Sequence, residues 1–189
     1  VTKGCLAIVC TARTADQERG CRRQRQMWIG DRDTAARGER VTLATTVDGA
    51  SIGAENNALR IDADTLRAEA KKGHVVLTDT SGNLTLERVS TGDNSAEAGL
   101  RALITAEHGD LRGSHGAEAN VEAWATNLQA DGAIGDHGQA VTTAVDVLAA
   151  STQDGGIHVD EQDGELMLGK VVAGERISQA GQTASSTGI

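Results

Sequence analysis

Proline, phenylalanine and tyrosine are absent from the sequence, and its only aromatic residues are Trp28 and Trp124. A compact globular core usually draws much of its buried area from aromatic side chains. An interior in this chain must therefore be built from valine, isoleucine, leucine and alanine, which suit a narrow and regular core. The 23 glycines, set against no proline, favour many tight turns over a few rigid ones.

Long apolar runs are also missing. No stretch approaches the roughly 18 residues that indicate a membrane-spanning helix, and the apolar run from Cys5 to Cys10 is too short for the core of a signal peptide. Cysteine is confined to Cys5, Cys10 and Cys21. An odd number of cysteines in an irregular segment indicates neither a disulfide framework nor a zinc site, and the role of these thiols stays open.

Positive charge is scarce outside the N-terminal segment. Residues 1–40 hold nine lysines and arginines against five acidic residues, whereas residues 121–189 hold two against ten, within a net charge of −9. An acidic body repels the phosphates of a nucleic acid, which argues against nucleic-acid binding. It also favours solubility in an exposed, extended molecule.

Two stretches of the chain repeat each other. Residues 52–92 align with residues 134–174 without a gap, at a constant offset of 82 positions (134 − 52). Nearly every polar position differs between the copies. The identical pairs include Ile52/Ile134, Gly53/Gly135, Asp64/Asp146, Leu66/Leu148, Ala68/Ala150, Gly73/Gly155, Gly82/Gly164, Leu84/Leu166, Leu86/Leu168, Val89/Val171 and Gly92/Gly174. A repeat that keeps its core and turn positions while its surface drifts indicates a stacking unit rather than a duplicated active site.

Apolar and polar residues alternate along both copies, as they do in half-buried strands. The clearest predicted strands are 74–78 and 84–89. Residues 66–70 favour a helix by composition, but their copy at 147–152 fits a strand better, so we predict strands at both. Strands of about five residues separated by short turns leave no room for helices. Hairpins are one possible arrangement, and we favour a parallel β-helix with coils about 4.8 Å apart.

The β-helix assigns an inward side to alternate apolar residues. We predict that these residues of the first copy, with their partners 82 positions on, face the interior: Leu66, Ala68, Val75, Leu77, Leu84 and Leu86. If a coil takes roughly 20 residues, as in other solenoid repeats, the offset holds about four coils. The predicted organisation is an irregular, poorly ordered basic extension over 1–40, solenoid repeats over 41–180, and a polar tail over 181–189.

The most specific pattern lies between Leu148 and Gly169. It contains, in order, Gly155, Gly156, Ile157, Glu161, Gly164, Leu166, Leu168 and Gly169. This pattern resembles the repeats of filamentous-haemagglutinin-like bacterial surface adhesins, and the resemblance covers about 41–180. It implies a right-handed parallel β-helix, export across both membranes, a stalk or adhesive role, and glycans, proteins or other adhesin copies as partners. Residues 1–40 depart from the family, because they carry no recognisable export domain.

One acidic cluster has the composition of a calcium site. Asp160, Glu161, Asp163 and Glu165 form an oxygen-rich turn of the kind that calcium favours. The first copy, however, has one carboxylate where the second has four, and the glycine-rich nonapeptide of calcium-binding β-rolls is missing. We interpret the cluster as a solvated acidic turn, with the calcium β-roll as the alternative.

Other candidate residues have a structural interpretation beside the functional one. Asp62 and Asp64 lie on one strand face, as an acid and a base do in glycoside cleavage, but only Asp64 recurs in the second copy, which favours a corner role. Trp124 is expected to fill the bore or a corner rather than to stack on a sugar. The five histidines lack metal-ligand spacing: His74, His108, His115, His137 and His158.

No motif of a nucleophile elbow, a phosphate-binding loop or a dinucleotide site occurs. We therefore expect no catalytic, cofactor-binding or metal-binding residues, and no enzymatic activity. The predicted function is that of a structural and adhesive segment of an exported bacterial surface protein, which does not itself insert into a membrane. The alternative is a polysaccharide-binding or polysaccharide-degrading β-helix protein, although basic and aromatic residues suited to such a groove are scarce.

Overall fold

A computed structural model describes residues 34–116, 118–136, 138–162 and 166–169, together with the backbone of 6–11. These residues contain strands and turns but no helix, and so nothing among them is a helix that could cross a membrane. The strands are β1 Leu6–Thr11, β2 Ala36–Thr45, β3 Leu59–Glu69, β4 Val75–Asp79, β5 Leu84–Ser90, β6 Arg101–Ala106, β7 Leu111–Gly113, β8 Val121–Glu122, β9 Ala125–Ala130, β10 Val141–Ala144, β11 Val147–Thr152, β12 Val159–Glu161 and β13 Met167–Leu168.

The strands stack in two parallel ladders. The first ladder runs through β2, β3, β5, β7 with β8, β10 and β12, and the second runs through β3, β4, β6, β9, β11 and β13. Strand β3 belongs to both, because Leu59–Ile61 pair with β4 while Thr65–Glu69 pair with β5. The chain thus winds from one ladder to the other in a β-solenoid of about five turns, which confirms the predicted fold class.

The interior is built from aliphatic side chains, as the lack of aromatic residues requires. All six inward positions predicted for the first copy are buried, and the stretch at 66–68 is strand rather than helix. Full burial of such a side chain stabilises the fold by about 1.5–3 kcal/mol. The largest fully buried side chains are those of Leu43, Ile52, Leu59, Ile61, Leu66, Leu77, Leu84, Leu86, Ile104, Leu111, Leu128 and Ile134.

The second copy follows the predicted register only in part. Leu148 is buried, and Ala150, Val159 and Leu166 pack against the core while remaining partly exposed. Ile157 and Leu168, in contrast, are 45% and 48% exposed. Both lie in the last coils that the structure describes, where Ile157 bridges to a residue of the coil before it. An inward side chain is fully buried only where it is covered by stacked coils on both sides. The repeat pattern predicts which side chains point inward, but it does not predict how many coils cover them.

The coils are longer than predicted. Ile52, Val75, Ala102, Thr126 and Leu148 lie in one column of the second ladder, at successive steps of 23, 27, 24 and 22 residues. Four coils therefore take 96 residues (148 − 52), and the 82-residue offset corresponds to about three and a half coils rather than four. The prediction of four coils is wrong because turns of unequal length lengthen individual coils.

Because the offset of 82 residues exceeds three coils by about half a coil, the two copies lie on opposite ladders. Ile134, the partner of Ile52 in the repeat, stacks between Leu111 and Ile157 in the first ladder, whereas Ile52 stacks on Val75 in the second. This displacement is tolerated because each ladder requires the same alternation of inward apolar and outward polar residues. The sequence repeat is therefore satisfied on either side of the solenoid.

The predicted extension contributes strands to the fold. Strand β1 pairs antiparallel with β2, placing Cys10 opposite Val41, and β2 begins at Ala36, five residues before the predicted start at 41. The first residues of β2 show little apolar alternation in the sequence, because the residues that point inward there are the small Ala36 and Gly38. Residues 1–5, 12–33 and 170–189, with Cys5, Cys21 and the predicted polar tail, lie outside the described part of the chain.

Candidate functional site

A buried carboxylate lies where the chain passes from the second ladder to the first. Asp79 ends β4 and is 0% exposed. Its Oδ1 accepts a hydrogen bond of 3.0 Å from the amide of Ala63 in the preceding coil, and its Oδ2 accepts one of 3.2 Å from the amide of Ser81. The side chain thereby satisfies two backbone N–H groups at a bend in the coil, where the strand ladder does not pair them.

The second copy repeats this contact on the opposite side of the solenoid. Glu161 is the partner of Asp79 at the 82-residue offset, and its Oε1 accepts a 3.1 Å hydrogen bond from the amide of Val145, the partner of Ala63. Its other oxygen accepts a 2.6 Å hydrogen bond from the hydroxyl of Thr143. This pair of equivalent contacts was not predicted from the sequence, although an acidic residue at both 79 and 161 was its signal.

Burial and like charge both act on Asp79. Burial raises the pKa of Asp79 to about 6, the amide donors of Ala63 and Ser81 oppose that rise, and the carboxylates of Asp62 and Asp64 add to it. Asp62 itself is held by the hydroxyl of Ser81 at 2.6 Å. Both carboxylate oxygens of Asp79 are thus occupied by backbone amides of the same chain.

The predicted pair Asp62 and Asp64 lies at the same bend. Asp62 forms an ion pair with Arg37 of β2 in addition to its bond from Ser81. Asp64 is exposed within β3, between the part that pairs with β4 and the part that pairs with β5. An acid and base pair for glycoside cleavage needs two carboxyl groups facing a substrate, whereas the contacts of Asp62 are internal.

At other corners, side chains accept hydrogen bonds from the backbone of the next coil. Asn83 Oδ1 accepts a 2.9 Å bond from the amide of Asp110 one coil on, and Asp110 Oδ1 accepts a 2.9 Å bond from the amide of Ala133 in the next coil. The Ala133 amide, followed by the 2.7 Å bond from Arg112, lowers the pKa of Asp110. These polar residues hold adjacent coils in register.

The acidic turn at 160–165, the alternative calcium site, shows no set of calcium ligands among its described residues. Asp160 is exposed, both oxygens of Glu161 already accept hydrogen bonds, and Asp163 and Glu165 lie outside the described residues. Over the part of the chain that the structure describes, no group of three or more histidine, cysteine or acidic side chains could hold a metal ion.

The histidines are dispersed over the solenoid. His74 Nδ1 accepts a 3.1 Å hydrogen bond from the backbone amide of Arg101, and His115 Nδ1 lies 3.4 Å from the side-chain Nε2 of Gln139. His108 is exposed, and His158 is half-buried. His137 lies outside the described residues. The structure thus brings none of the four described histidines into a shared cluster.

Trp124 lies at a corner, as predicted, but outside the bore. It packs against a small cluster that contains Val76, Leu103, Ala125 and Val147. These residues alternate along their strands with the inward residues and therefore point outward from the second ladder. Each of these four side chains is nevertheless buried, with at most 8% of its surface exposed. Trp124 contributes to a second, outer layer of packing, which the periodicity alone did not distinguish from the bore.

The outer face of the first ladder carries a network of ion pairs. Arg40 binds Glu87 at 3.0 Å, and Arg88 binds Glu122 at 2.8 Å and also pairs with Glu118. Exposed pairs of this kind contribute about 0–1 kcal/mol each. Their main effect is local neutrality, because each of these arginines lies against at least one glutamate on the same face.

The second ladder has a polar groove at the ends of its strands. Its volume is about 470 Å³, and three successive coils line it. Thr105, Gln129 and Ser151 are paired neighbours in β6, β9 and β11 and lie on one side of the groove. Corner residues of the same coils, including Glu107 and Asp131, form the other side. No sequence motif marks the groove, because residues 22–24 positions apart create it.

Comparison with known proteins does not extend this description. Neither the scan against protein-family models nor the searches of curated proteins and of solved structures returned a match.

Proposed function

We propose that the chain is a structural and adhesive segment of an exported bacterial surface protein, with no catalytic activity of its own. The observation that carries the proposal is what the two copies share. They keep the aliphatic interior, the turn glycines and the corner carboxylates Asp79 and Glu161, all of which build the stack. Nearly all of their other polar residues differ, as expected where selection acts on a scaffold.

The resemblance of 148–169 to adhesin repeats supports the surface location. A solenoid also suits this role physically, because it presents long, regular outer faces while each coil contacts only its neighbours. The degrading alternative is less favoured, since the buried carboxylate Asp79 and its neighbour Asp62 are occupied by contacts within the fold. The binding alternative is compatible with a scaffold.

The proposal can be tested on whole cells and on the isolated chain. Antibodies against the chain should label intact cells of the organism that encodes it, and protease added outside those cells should remove the label. Beads coated with the chain should adhere to cultured host cells more than beads coated with albumin. Labelling only after permeabilisation, or release of reducing ends from a panel of polysaccharides, would contradict the proposal.

A further inference from the structure

We propose that the polar groove on the second ladder binds an extended, uncharged polyhydroxylated chain, that is, a neutral polysaccharide. This inference rests on the adhesive function proposed above, for which it names a contact surface. Thr105, Gln129 and Ser151 occupy equivalent outward positions in three consecutive coils, so their side chains repeat at intervals of about 4.8 Å along the solenoid. The volume of about 470 Å³ lies within the range of ligand sites, roughly 300–1,000 Å³.

The chemistry of these three side chains favours a ligand rich in hydroxyl groups. Serine and threonine hydroxyls donate and accept, and the glutamine amide offers both an acceptor oxygen and two donor hydrogens. Gln129 and Ser151 are exposed, and Thr105 is half-buried. A chain of sugar rings presents hydroxyl groups in series and can pair with such a row without bringing a charge into the groove.

The charges around the groove argue against an anionic ligand. Its titratable lining residues are Glu107, His108 and Asp131, and the chain carries a net charge of −9. The nearby guanidinium of Arg60 is engaged by both oxygens of Glu107, at 2.9 and 2.7 Å, so these two charges compensate each other. An acidic polymer would therefore meet the carboxylate of Asp131 and would find the Arg60 guanidinium already paired.

The same ion pair gives the groove a defined end. Arg60 pairs with Thr78 of the next coil, and Thr78 pairs with Thr105 of the coil after it, so the contact between Arg60 and Glu107 spans two coils. It lies at the first of the three coils that line the groove. A ligand is thus directed along the solenoid towards Ser151 and away from this pair.

A peptide fits these observations less well. An extended peptide is usually recognised by main-chain hydrogen bonds at a free sheet edge. The groove instead lies on the outer face of strands whose main chains already pair with neighbours on both sides, as β9 does with β6 and β11. Recognition here must come from side chains, and the row of Thr105, Gln129 and Ser151 offers hydroxyls and an amide.

The test is a titration of the isotopically labelled chain with maltohexaose, a neutral hexasaccharide of glucose, followed by backbone amide NMR signals. We expect saturable shifts confined to residues 105–108, 129–131 and 151–153. The substitution Gln129→Ala should weaken binding by about 3- to 10-fold, the loss expected for one hydrogen bond. Gln162→Ala is the matched control, since Gln162 is exposed and lies outside the groove lining, and it should bind as the parent chain does.

Other outcomes separate the groove from the adhesive function. Shifts that do not saturate, shifts located elsewhere, or equal binding by the Gln129→Ala variant would overturn the groove proposal. A sulfated hexasaccharide that competes at the same residues with higher affinity would also overturn it, because the groove would then select charge. If coated beads still adhere to cells while any of these results is found, the groove assignment fails and the adhesive function stands.

Discussion

At the residue scale, the two ladders are joined by carboxylates that bind backbone amides. Asp79 and Glu161 each bind the amide of a residue 16 positions earlier, Ala63 and Val145, and Asp110 binds Ala133 one coil later. Such contacts satisfy backbone amides that would otherwise be buried without a partner. Each amide left unpaired would cost about 1–3 kcal/mol. The aspartates and glutamates of this chain therefore serve its architecture as well as its solubility.

Asp79 should make stability depend on pH. Because its folded-state pKa of about 6 lies above the ordinary value of 3.8, its contribution is fully present below pH 3.8 and is lost as pH rises through 6. The free energy of unfolding from this group should fall by about 3 kcal/mol across that window. Asp79→Asn keeps an oxygen that can accept from Ala63 and should remove this fall, as measured by chemical denaturation at pH 4, 5, 6 and 7.

The comparison with the parent chain isolates the effect of Asp79, since other carboxylates also make stability depend on pH. Asp110 and Asp136 have lowered pKa values caused mainly by backbone amide donors, so they lose stability in the opposite direction, as pH falls. Asp160→Asn, at an exposed side chain, is the control variant and should keep the fall in stability that Asp79 causes. Parallel profiles for the parent chain and Asp79→Asn would show that Asp79 is not held as described.

At the scale of elements, the repeat is a local unit that fits either ladder. After Ile52 and Ile134, a glycine with positive φ is followed by a pair of residues that exchange two backbone hydrogen bonds. The pair is Ala54 with Asn57 in one copy and Asp136 with Gln139 in the other. The unit keeps these bonds although its copies lie on opposite sides of the solenoid.

The two glycines of this unit should not accept a side chain. Gly53 has φ +73° and Gly135 has φ +64°, and a Cβ at either position would collide with a carbonyl oxygen, that of Val76 or that of His158. Gly53→Ala and Gly135→Ala should each lower the free energy of unfolding by more than the roughly 1–2 kcal/mol of left-handed strain alone. Denaturant titration of the single variants measures this loss.

Gly49 provides the matched control for that prediction. Its φ of +78° imposes the same strain, but a Cβ there would have nothing within 4 Å. Gly49→Ala should therefore cost only the strain, about 1–2 kcal/mol. Equal losses at all three glycines would mean that the close approach of the neighbouring coil does not matter.

The element pattern also shows what sequence could and could not predict. Strand positions such as 84–86 were predictable, because inward residues alternate with outward ones. The position of a copy on the first or second ladder was not, because it depends on the summed lengths of turns between Leu66 and Leu148. The groove was unpredictable for the same reason, since Gln129 meets its neighbours only through coil spacing.

At the scale of the whole molecule, we predict that stability comes from the stack rather than from a bound ion. A calcium ion that binds only the folded chain adds about 2.7 kcal/mol at a hundredfold excess over its dissociation constant, or roughly 5–10 °C in melting temperature for a domain of this size. Because Glu161 is already engaged by Thr143 and Val145, we expect millimolar calcium to shift the melting temperature by under about 2 °C, with magnesium acting alike. A larger, calcium-specific rise would contradict this, especially if Asp160→Asn abolished it.

Disulfide trapping can test whether coils of about 24 residues stack in parallel register. In a chain whose three native cysteines are replaced by serine, Thr105→Cys with Gln129→Cys joins paired positions of adjacent coils, with Cα atoms about 4.8 Å apart, inside the roughly 4.4–6.8 Å range of a disulfide. Thr85→Cys with Thr105→Cys is the control, because its 20-residue spacing would match a shorter coil, whereas here Thr85 lies in the first ladder and Thr105 in the second. We predict rapid cross-linking of 105 with 129 and none of 85 with 105, and the reverse result would contradict the fold.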